Sequence, residues 1–305
     1  MKVLRGDYRS WDPLPYPSAV TIGVYDGVHL GHQYVLNSLA ASGLPVVVVT
    51  FGNHPVEVID REAAPDMLTS VERRIEFLAE FGVSTAAVVD FDDVFRRLAA
   101  EEFVEKLLVA TFRAKRVAVG RGFRFGYKQL GDIALMRTLG ERHHYEVEDV
   151  EIFEEGVPVR STVIRALLRE GDAAAAARLL GRPHRLPGTV VPGDQRGRQI
   201  GFPTANLDTP AGLLVPASGV YATRIRLDGV THKAVVNIGN RPTFGGSDSV
   251  VEAHVLDFSE DLYGRVLEVD FVFRLRSERK FSGIDELVAA ISDDIAAARQ
   301  LLGGG

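Results

Sequence analysis

GVYDGVHLGHQYVL, residues 23–36, sets two histidines three positions apart, with a glycine directly ahead of the second. An apolar run, AVTIG, ends as this stretch begins, and an amphipathic pattern, HQYVLNSLAAS, starts inside it. A strand-to-helix turn of this kind offers free N–H groups and the positive end of a helix dipole, both aimed at one place. Gly27 and Gly31 let main chain come close to a phosphate, and His29 and His32 can share one face. Imidazole donors beside main-chain amides suit charge developing on a phosphorus centre, where catalysis is mostly positioning and electrostatic stabilisation. Zinc fits less well: the spacing differs from HExxH, and no third ligand is placed by sequence.

Around this turn the first half alternates strand-like and helix-like segments. Apolar runs cover residues 19–23, 45–51, 85–91, 116–120 and 145–152; TSVERRIEFLAEF, AAEEFVEKLLVATF and DIALMRTLGERH lie between them. Continuous runs such as VVVV predict strands covered on both faces, hence a parallel, doubly wound α/β sheet. Ligands of such sheets sit beyond the carboxyl ends of the strands, where GVYDGVHLGH falls. Two short helices follow, STVIRALLREG and DAAAAARLLG, and then the proline- and arginine-rich RPHRLPG. This composition change puts the expected boundary between domains 1–182 and 183–305. Beyond it, strand patterns at 188–191, 220–227, 233–238, 250–256 and 266–274 succeed one another without helices, before a helix at 284–302. That succession predicts an antiparallel β-barrel or sandwich with a terminal helix.

Composition narrows the function classes. The 305 residues suffice for two domains, and the net charge of −6 argues against general nucleic-acid affinity. The absence of cysteine removes disulfides, thiolate metal sites and a cysteine nucleophile. Neither a signal-peptide core nor a run of membrane-spanning length is visible, so a cytoplasmic protein with no membrane partner is expected. Self-association is left open.

A second constellation lies in the other half. No GxxxxGK[ST] occurs, so a phosphate cradle there is built differently. GDQRGRQIGFPTAN, residues 193–206, is the candidate. Thr204 and Asn206 carry hard oxygen donors suited to Mg²⁺, and their i, i+2 spacing puts both on one side of an extended segment. NIGNRPTF, VEAHVLDF, DLYG and LRSERKF follow in order, while His143, His144, His184 and His232 read as surface or linker histidines.

The HxGH element resembles the signature of the nucleotidyltransferase superfamily, whose Rossmann-like domain matches the predicted sheet. In its longer form it resembles the N-terminal module of prokaryotic bifunctional riboflavin kinase/FAD synthetases. TFGNHP (residues 50–55), VGRGFRFG (119–126) and RSTVIR (160–165) are similar to further elements of that module, and the C-terminal motifs resemble its riboflavin kinase module. The resemblance implies ATP-dependent phosphorylation of riboflavin to FMN by residues 183–305. Adenylyl transfer from ATP to FMN, giving FAD and pyrophosphate, then falls to residues 1–182, with Mg²⁺ accompanying ATP in both steps. It assigns Gly23, Tyr25, Asp26, Gly31, His54, Ser161 and Thr162 to nucleotide binding, and His29, His32 and Arg165 to catalysis of adenylyl transfer. Phe123 and Phe125 go to the flavin. In the kinase module Gly193, Arg198, Gly201 and Pro203 go to the nucleotide, Thr204 and Asn206 to the metal, Glu252 to the catalytic base, and Tyr263 and Arg276 to the isoalloxazine.

Some positions depart from the family pattern. Gly52 and Asn53 stand where Asp-Pro is usual, Gly122 where an acid or amide is usual, Arg160 where serine is usual, and Val163 where the residue is often basic. Gly52, Asn53, Gly122 and Arg160 motivate an alternative, a riboflavin kinase alone with a weakened adenylyltransferase. A flavin carrier without chemistry would lack the catalytic side chains, yet Glu252, Thr204, Asn206, His29 and His32 are all present.

Overall fold

SAVTI, VVVVTF and TAAVV are buried at every position, as expected for strands with helices on both faces. They form β2 (Ser18–Ile22), β3 (Val46–Phe51) and β4 (Thr85–Val89), joined by β1 (Lys2–Gly6), β5 (Ala114–Gly120) and β6 (Glu146–Val150). The sheet order is β1-β4-β3-β2-β5-β6, and every pairing is parallel. The computed structural model describes residues 1–151, 153–193, 197, 200–243 and 246–303, without the side chains of 240–248. Alternation along β3 divides the core: Val47 and Val49 pack with Leu107, Phe112 and Met136, whereas Val46 and Val48 pack with Leu36, Leu39 and Leu78. The connecting helices are α1 (Leu30–Ala40), α2 (Pro55–Ile59), α3 (Val71–Glu80), α4 (Ala100–Phe103, continued as a π-helix over Val104–Thr111) and α5 (Ile133–His143). Ser70 caps α3 by accepting from Arg73 N at 3.2 Å, and Asp132 caps α5 by accepting from Leu135 N at 2.9 Å. Strand order reverses between β2 and β5, so the loop after β2 opens at the switch point.

The second half is a closed barrel. β7 (His184–Val191), β8 (Ala205–Asp208), β9 (Gly219–Leu227), β10 (Val230–Thr243), β11 (Gly246–Val255) and β12 (Val266–Arg276) pair in the ring β10-β11-β8-β7-β12-β9, antiparallel throughout. Leu186, Val190, Tyr221, Ile225, Val251 and Phe271 are among the side chains filling it. Closure removes the exposed sheet edges that a sandwich would leave. Outside, Ala298 and Leu302 of the C-terminal helix (Ile284–Leu302) pack on Val220, Ala222 and Val235.

By packing, the chain divides between Arg160 and Ser161, some twenty residues before the expected boundary at 182. The helices α6 (Ser161–Glu170) and α7 (Ala173–Leu180) belong with the barrel: Ala217 N donates to Leu168 O at 2.9 Å, Arg274 Nη1 to Glu170 O at 3.2 Å, and Ala173 joins the barrel core. RPHRLPG is no linker either. His184 is 2% exposed, 2.9 Å from Leu214 O through Nε2, and opens β7 beside Phe271. Two short strands, β1 and β8, were not expected from the sequence.

Gly126 sits at φ +72°, and a Cβ there would lie 2.6 Å from Ala100 N and Cα; Gly122 has φ +79° and open space around it. Gly126→Ala is therefore expected to destabilise the protein by about 2 kcal/mol or more in urea unfolding, because main chain must shift. Gly122→Asn, a residue that tolerates this conformation, should change stability by less than about 1 kcal/mol.

Candidate active sites

The turn after β2 is built on rings. Tyr25 takes the left-handed conformation, φ 56°, and its hydroxyl is 2.7 Å from Thr21 Oγ1. Burial raises the phenol pKa well above its ordinary value, with the Thr21 hydrogen bond opposing, so the ring stays neutral. His32 packs on it at 4.5 Å between centroids, and His29 stacks on His32 at 3.6 Å and 16°. Gly31 makes the stack feasible: a Cβ there would press on the His29 ring and on Val159 O, each at 3.2 Å. His29 caps α1, its Nδ1 accepting from His32 N at 3.4 Å, so the neutral ring carries its proton on Nε2. Gly23 closes β2, donating to Val49 O at 3.0 Å.

Beneath the rings lies a buried ionic support. Asp26, 2% exposed, accepts from Leu68 N at 2.9 and 3.0 Å and from Thr69 N at 3.1 Å, while Thr69 Oγ1 takes the Gly27 N–H. Its carboxylate thus pins the 68–69 segment to the turn. Arg74, 1% exposed, donates through Nη1 to Thr50 Oγ1 at 3.0 Å and Phe51 O at 2.8 Å, holding the end of β3. Burial lowers its pKa, and the charges of Asp26 and Glu72 oppose that shift.

The neighbouring strand ends bring the other motifs. His54 caps α2, its Nδ1 accepting from Val56 N at 3.2 Å, which again leaves Nε2–H as donor. Asn53 clasps the adjacent loop, with Nδ2 to Phe91 O and Phe91 N to Oδ1, both 3.0 Å. At this departure from the family pattern the amide ties the ends of β3 and β4. After β5, Phe123 and Phe125 stack at 5.8 Å, and Phe125 is buried against Phe103. Loops after β3, β2 and β5 are sheet neighbours, so His54, the histidine stack and the phenylalanine pair occupy one end of the sheet. Ser161, Thr162 and Arg165 lie in the first turns of α6, grouped by packing with the second unit; Arg165 is buried and Thr162 exposed.

On the barrel, register assembles the second site. Glu252 pairs with Asn206 on β8 and with Asn237 on β10; Asn237 pairs with Val220, and Val220 with Arg276. Directly opposed residues share a face, and Val251 and Ala253 fill the interior, so this rung lies outside the barrel. A hollow of about 420 Å³ opens over it, walled by Glu252, Asn237, Thr204 and Arg276 together with Leu287 and Ile291 of the terminal helix. Arg276 enters the wall already paired: Nε is 3.0 Å and Nη2 2.7 Å from the Asp294 carboxylate, with Phe281 beneath the guanidinium. Tyr263 is elsewhere. It lines a second hollow, about 530 Å³, with Val190, Pro203, Phe258 and Leu262. The two residues expected at the isoalloxazine therefore stand apart, and Thr204 borders both hollows. Gly193 leaves space for the Asn206 amide, since a Cβ would collide with it. Gly201, at φ +89°, sits in the turn before Pro203; Arg198 lies outside the described residues.

A model of FAD synthetases matches residues 12–163 and one of riboflavin kinases residues 180–302. The bifunctional riboflavin kinase/FMN adenylyltransferase of Escherichia coli strain K12 is 39% identical, over 99% of this chain and 98% of its own. The chain belongs to this family. The Bacillus subtilis bifunctional riboflavin kinase/FMN adenylyltransferase is 36% identical over 91% of this chain and 90% of its own. A crystal structure described as a macrolide-efflux protein from Streptococcus pneumoniae has a TM-score of 0.90 at 29% identity, covering 98% of this chain and 99% of its own. No helix among the described residues is long and apolar enough to cross a membrane. Both halves of the bifunctional family are matched, and nothing in the matches favours a kinase alone.

Asn237, Asn53, Asp26 as a latch, and Arg74 were not singled out in these roles from sequence. Asp26→Asn replaces one accepting carboxylate oxygen with an NH2 donor facing the Leu68 N–H and removes the charge near Arg74. It is expected to lower stability by about 3 kcal/mol, read as a shift of the urea midpoint with unchanged slope.

Proposed function

We propose that this chain makes both flavin cofactors: its barrel phosphorylates riboflavin to FMN with ATP, and its α/β unit transfers AMP from a second ATP to FMN. The observation that carries the kinase assignment is Thr204, which borders the hollow containing Glu252 and the hollow containing Tyr263. Two substrates, one on each side of that residue, would meet at the transferred phosphoryl group. We assign riboflavin to the hollow with Glu252, where Val220, Val235, Leu287 and Ile291 offer apolar walls for a flat ring system. ATP takes the other, with Tyr263, Leu262 and Val190 beside the base. Tyr263 thereby moves from the flavin to the nucleotide, while Arg276 stays on the flavin wall, its charge met by Asp294.

Glu252 accepts the proton of the ribityl hydroxyl as that oxygen bonds to the γ-phosphorus, and ADP leaves. A carboxylate suffices, because phosphoryl transfer asks for orientation and late proton acceptance. Thr204 and Asn206 present neutral oxygen donors on one side of their segment, and the Gly193 main chain gives the amide room, an arrangement that fits a hard dication. Mg²⁺ brought with ATP would be held there and would neutralise phosphate charge. In the α/β unit the Nε2–H groups of His29 and His54, with the amides opening α1, donate to the α- and β-phosphates while an FMN phosphate oxygen displaces pyrophosphate. Phe123 and Phe125 serve the flavin of FMN, and Ser161, Thr162 and Arg165 keep the roles that their motif implies. The reading carries a cytoplasmic location and small-molecule partners only: riboflavin, FMN and ATP.

The decisive assay incubates the full chain with riboflavin, ATP and Mg²⁺ and separates the flavins by chromatography. Glu252→Gln is expected to lower FMN formation at least about 100-fold while FAD formation from supplied FMN persists. Kinase turnover retained in that variant would remove Glu252 from the mechanism. Supplying FMN to the wild type tests the other half: no FAD would leave a riboflavin kinase alone.

A further inference from the structure

Pairing between β8 and β11 runs through Leu207–Val251, Asn206–Glu252 and Ala205–Ala253 and ends there among the described residues. The preceding Thr204 and Pro203 reach past the ladder, and Pro203 has no N–H with which to extend it. A side chain continues the connection. His254 Nδ1 lies 2.8 Å from Pro203 O, and since a carbonyl only accepts, Nδ1 carries the proton and donates. Phe202 meets the ring edge-on at 5.9 Å and 83°, which holds its plane. His254 lines the same hollow as Glu252 and Thr204, and being two residues beyond Glu252 on an extended strand it shares that residue's face.

We propose that His254 is a positioning residue for riboflavin phosphorylation. Its imidazole ties the Pro203–Thr204 turn to the strand that bears Glu252, so the hydroxyl that meets the phosphates and the carboxylate that takes the proton keep one spacing. The inference rests on the kinase reading of this hollow. A drift of about 1 Å between groups so coupled is enough to cost two orders of magnitude in rate. Pro203, which takes the tie, borders the nucleotide hollow and not the flavin one, so loss of the tie is read on the ATP side, whereas Val220, Val235, Leu287 and Ile291 of the flavin wall lie on β9, β10 and the terminal helix.

The test is steady-state riboflavin phosphorylation by the full chain, with riboflavin affinity followed separately by its fluorescence. In His254→Asn the amide nitrogen replaces Nδ1 as donor; in His254→Phe the ring remains and the donor is gone. The Phe variant is expected to lose about tenfold or more in kcat/KM for Mg²⁺-ATP, with riboflavin affinity changed less than about twofold, and the Asn variant to recover most of the loss. Should the Phe variant not fold, His254→Gln takes its place: its amide nitrogen reaches the Nε2 position, so activity should stay low. The proposal is overturned if the Asn variant falls as far as the Phe or Gln variant at equal melting temperature. It is equally overturned if the Phe variant matches wild type, or if riboflavin affinity drops in step with that for ATP. Absence of FMN with the wild type would instead bring down the kinase reading itself.

Discussion

Where β11 passes between β8 and β10, antiparallel register sets Glu252 opposite Asn206 on one side and Asn237 on the other. A slip of one residue would turn all three into an interior filled by Val251, Ala253 and Leu207, and bring those apolar groups outward. The apolar alternation that stabilises the barrel is thus the same pattern that gathers the polar rung outside it. Closure reinforces this, since each strand of the ring is held on both sides and the rung cannot shift without breaking two ladders.

The α/β half reaches comparable rigidity by other means. Its loops have no ladder, so order comes from side chains placed beneath them. Asp26 gathers amides from the 68–69 segment, Arg74 holds the end of β3, and Asn53 clasps Phe91. Burying a carboxylate and a guanidinium costs solvation, which the hydrogen bonds accepted by Asp26, those donated by Arg74 Nη1 and their mutual attraction offset in part. The stacked rings above them are consequently preorganised, which is what phosphate chemistry asks of its donors.

Much of this was legible in the residues. Runs such as VVVV and TAAVV announce covered parallel strands, and HLGH marks the turn at their switch point. β1 escapes because KVLRG holds only two apolar residues, flanked by charges, at a sheet edge, and β8 because four residues inside PTANLD carry no period. Proline and arginine made RPHRLPG resemble a linker, although His184 is sealed by a carbonyl bond within the barrel. The separation of Tyr263 from Arg276 could not be read, since it depends on how the ring closes. The place of His254 was accessible: two residues from Glu252 on a strand means the same face. Gly122 has a plain account too. Its left-handed backbone admits glycine, asparagine or aspartate, so the conformation survives where the usual polar side chain is absent.

The clasp between Arg276 and Asp294 bears on how the protein is made. The helix that carries Asp294 leaves the ribosome after every strand it leans on, and Leu287 and Ile291 arrive with it to finish one wall of the hollow over Glu252. During translation the α/β half can settle while the barrel still lacks that wall, with the outer faces of Val220, Ala222 and Val235 bare until the helix docks. Adenylyl-transfer machinery would then mature first on each nascent chain, and vitamin phosphorylation would be the last capacity to appear.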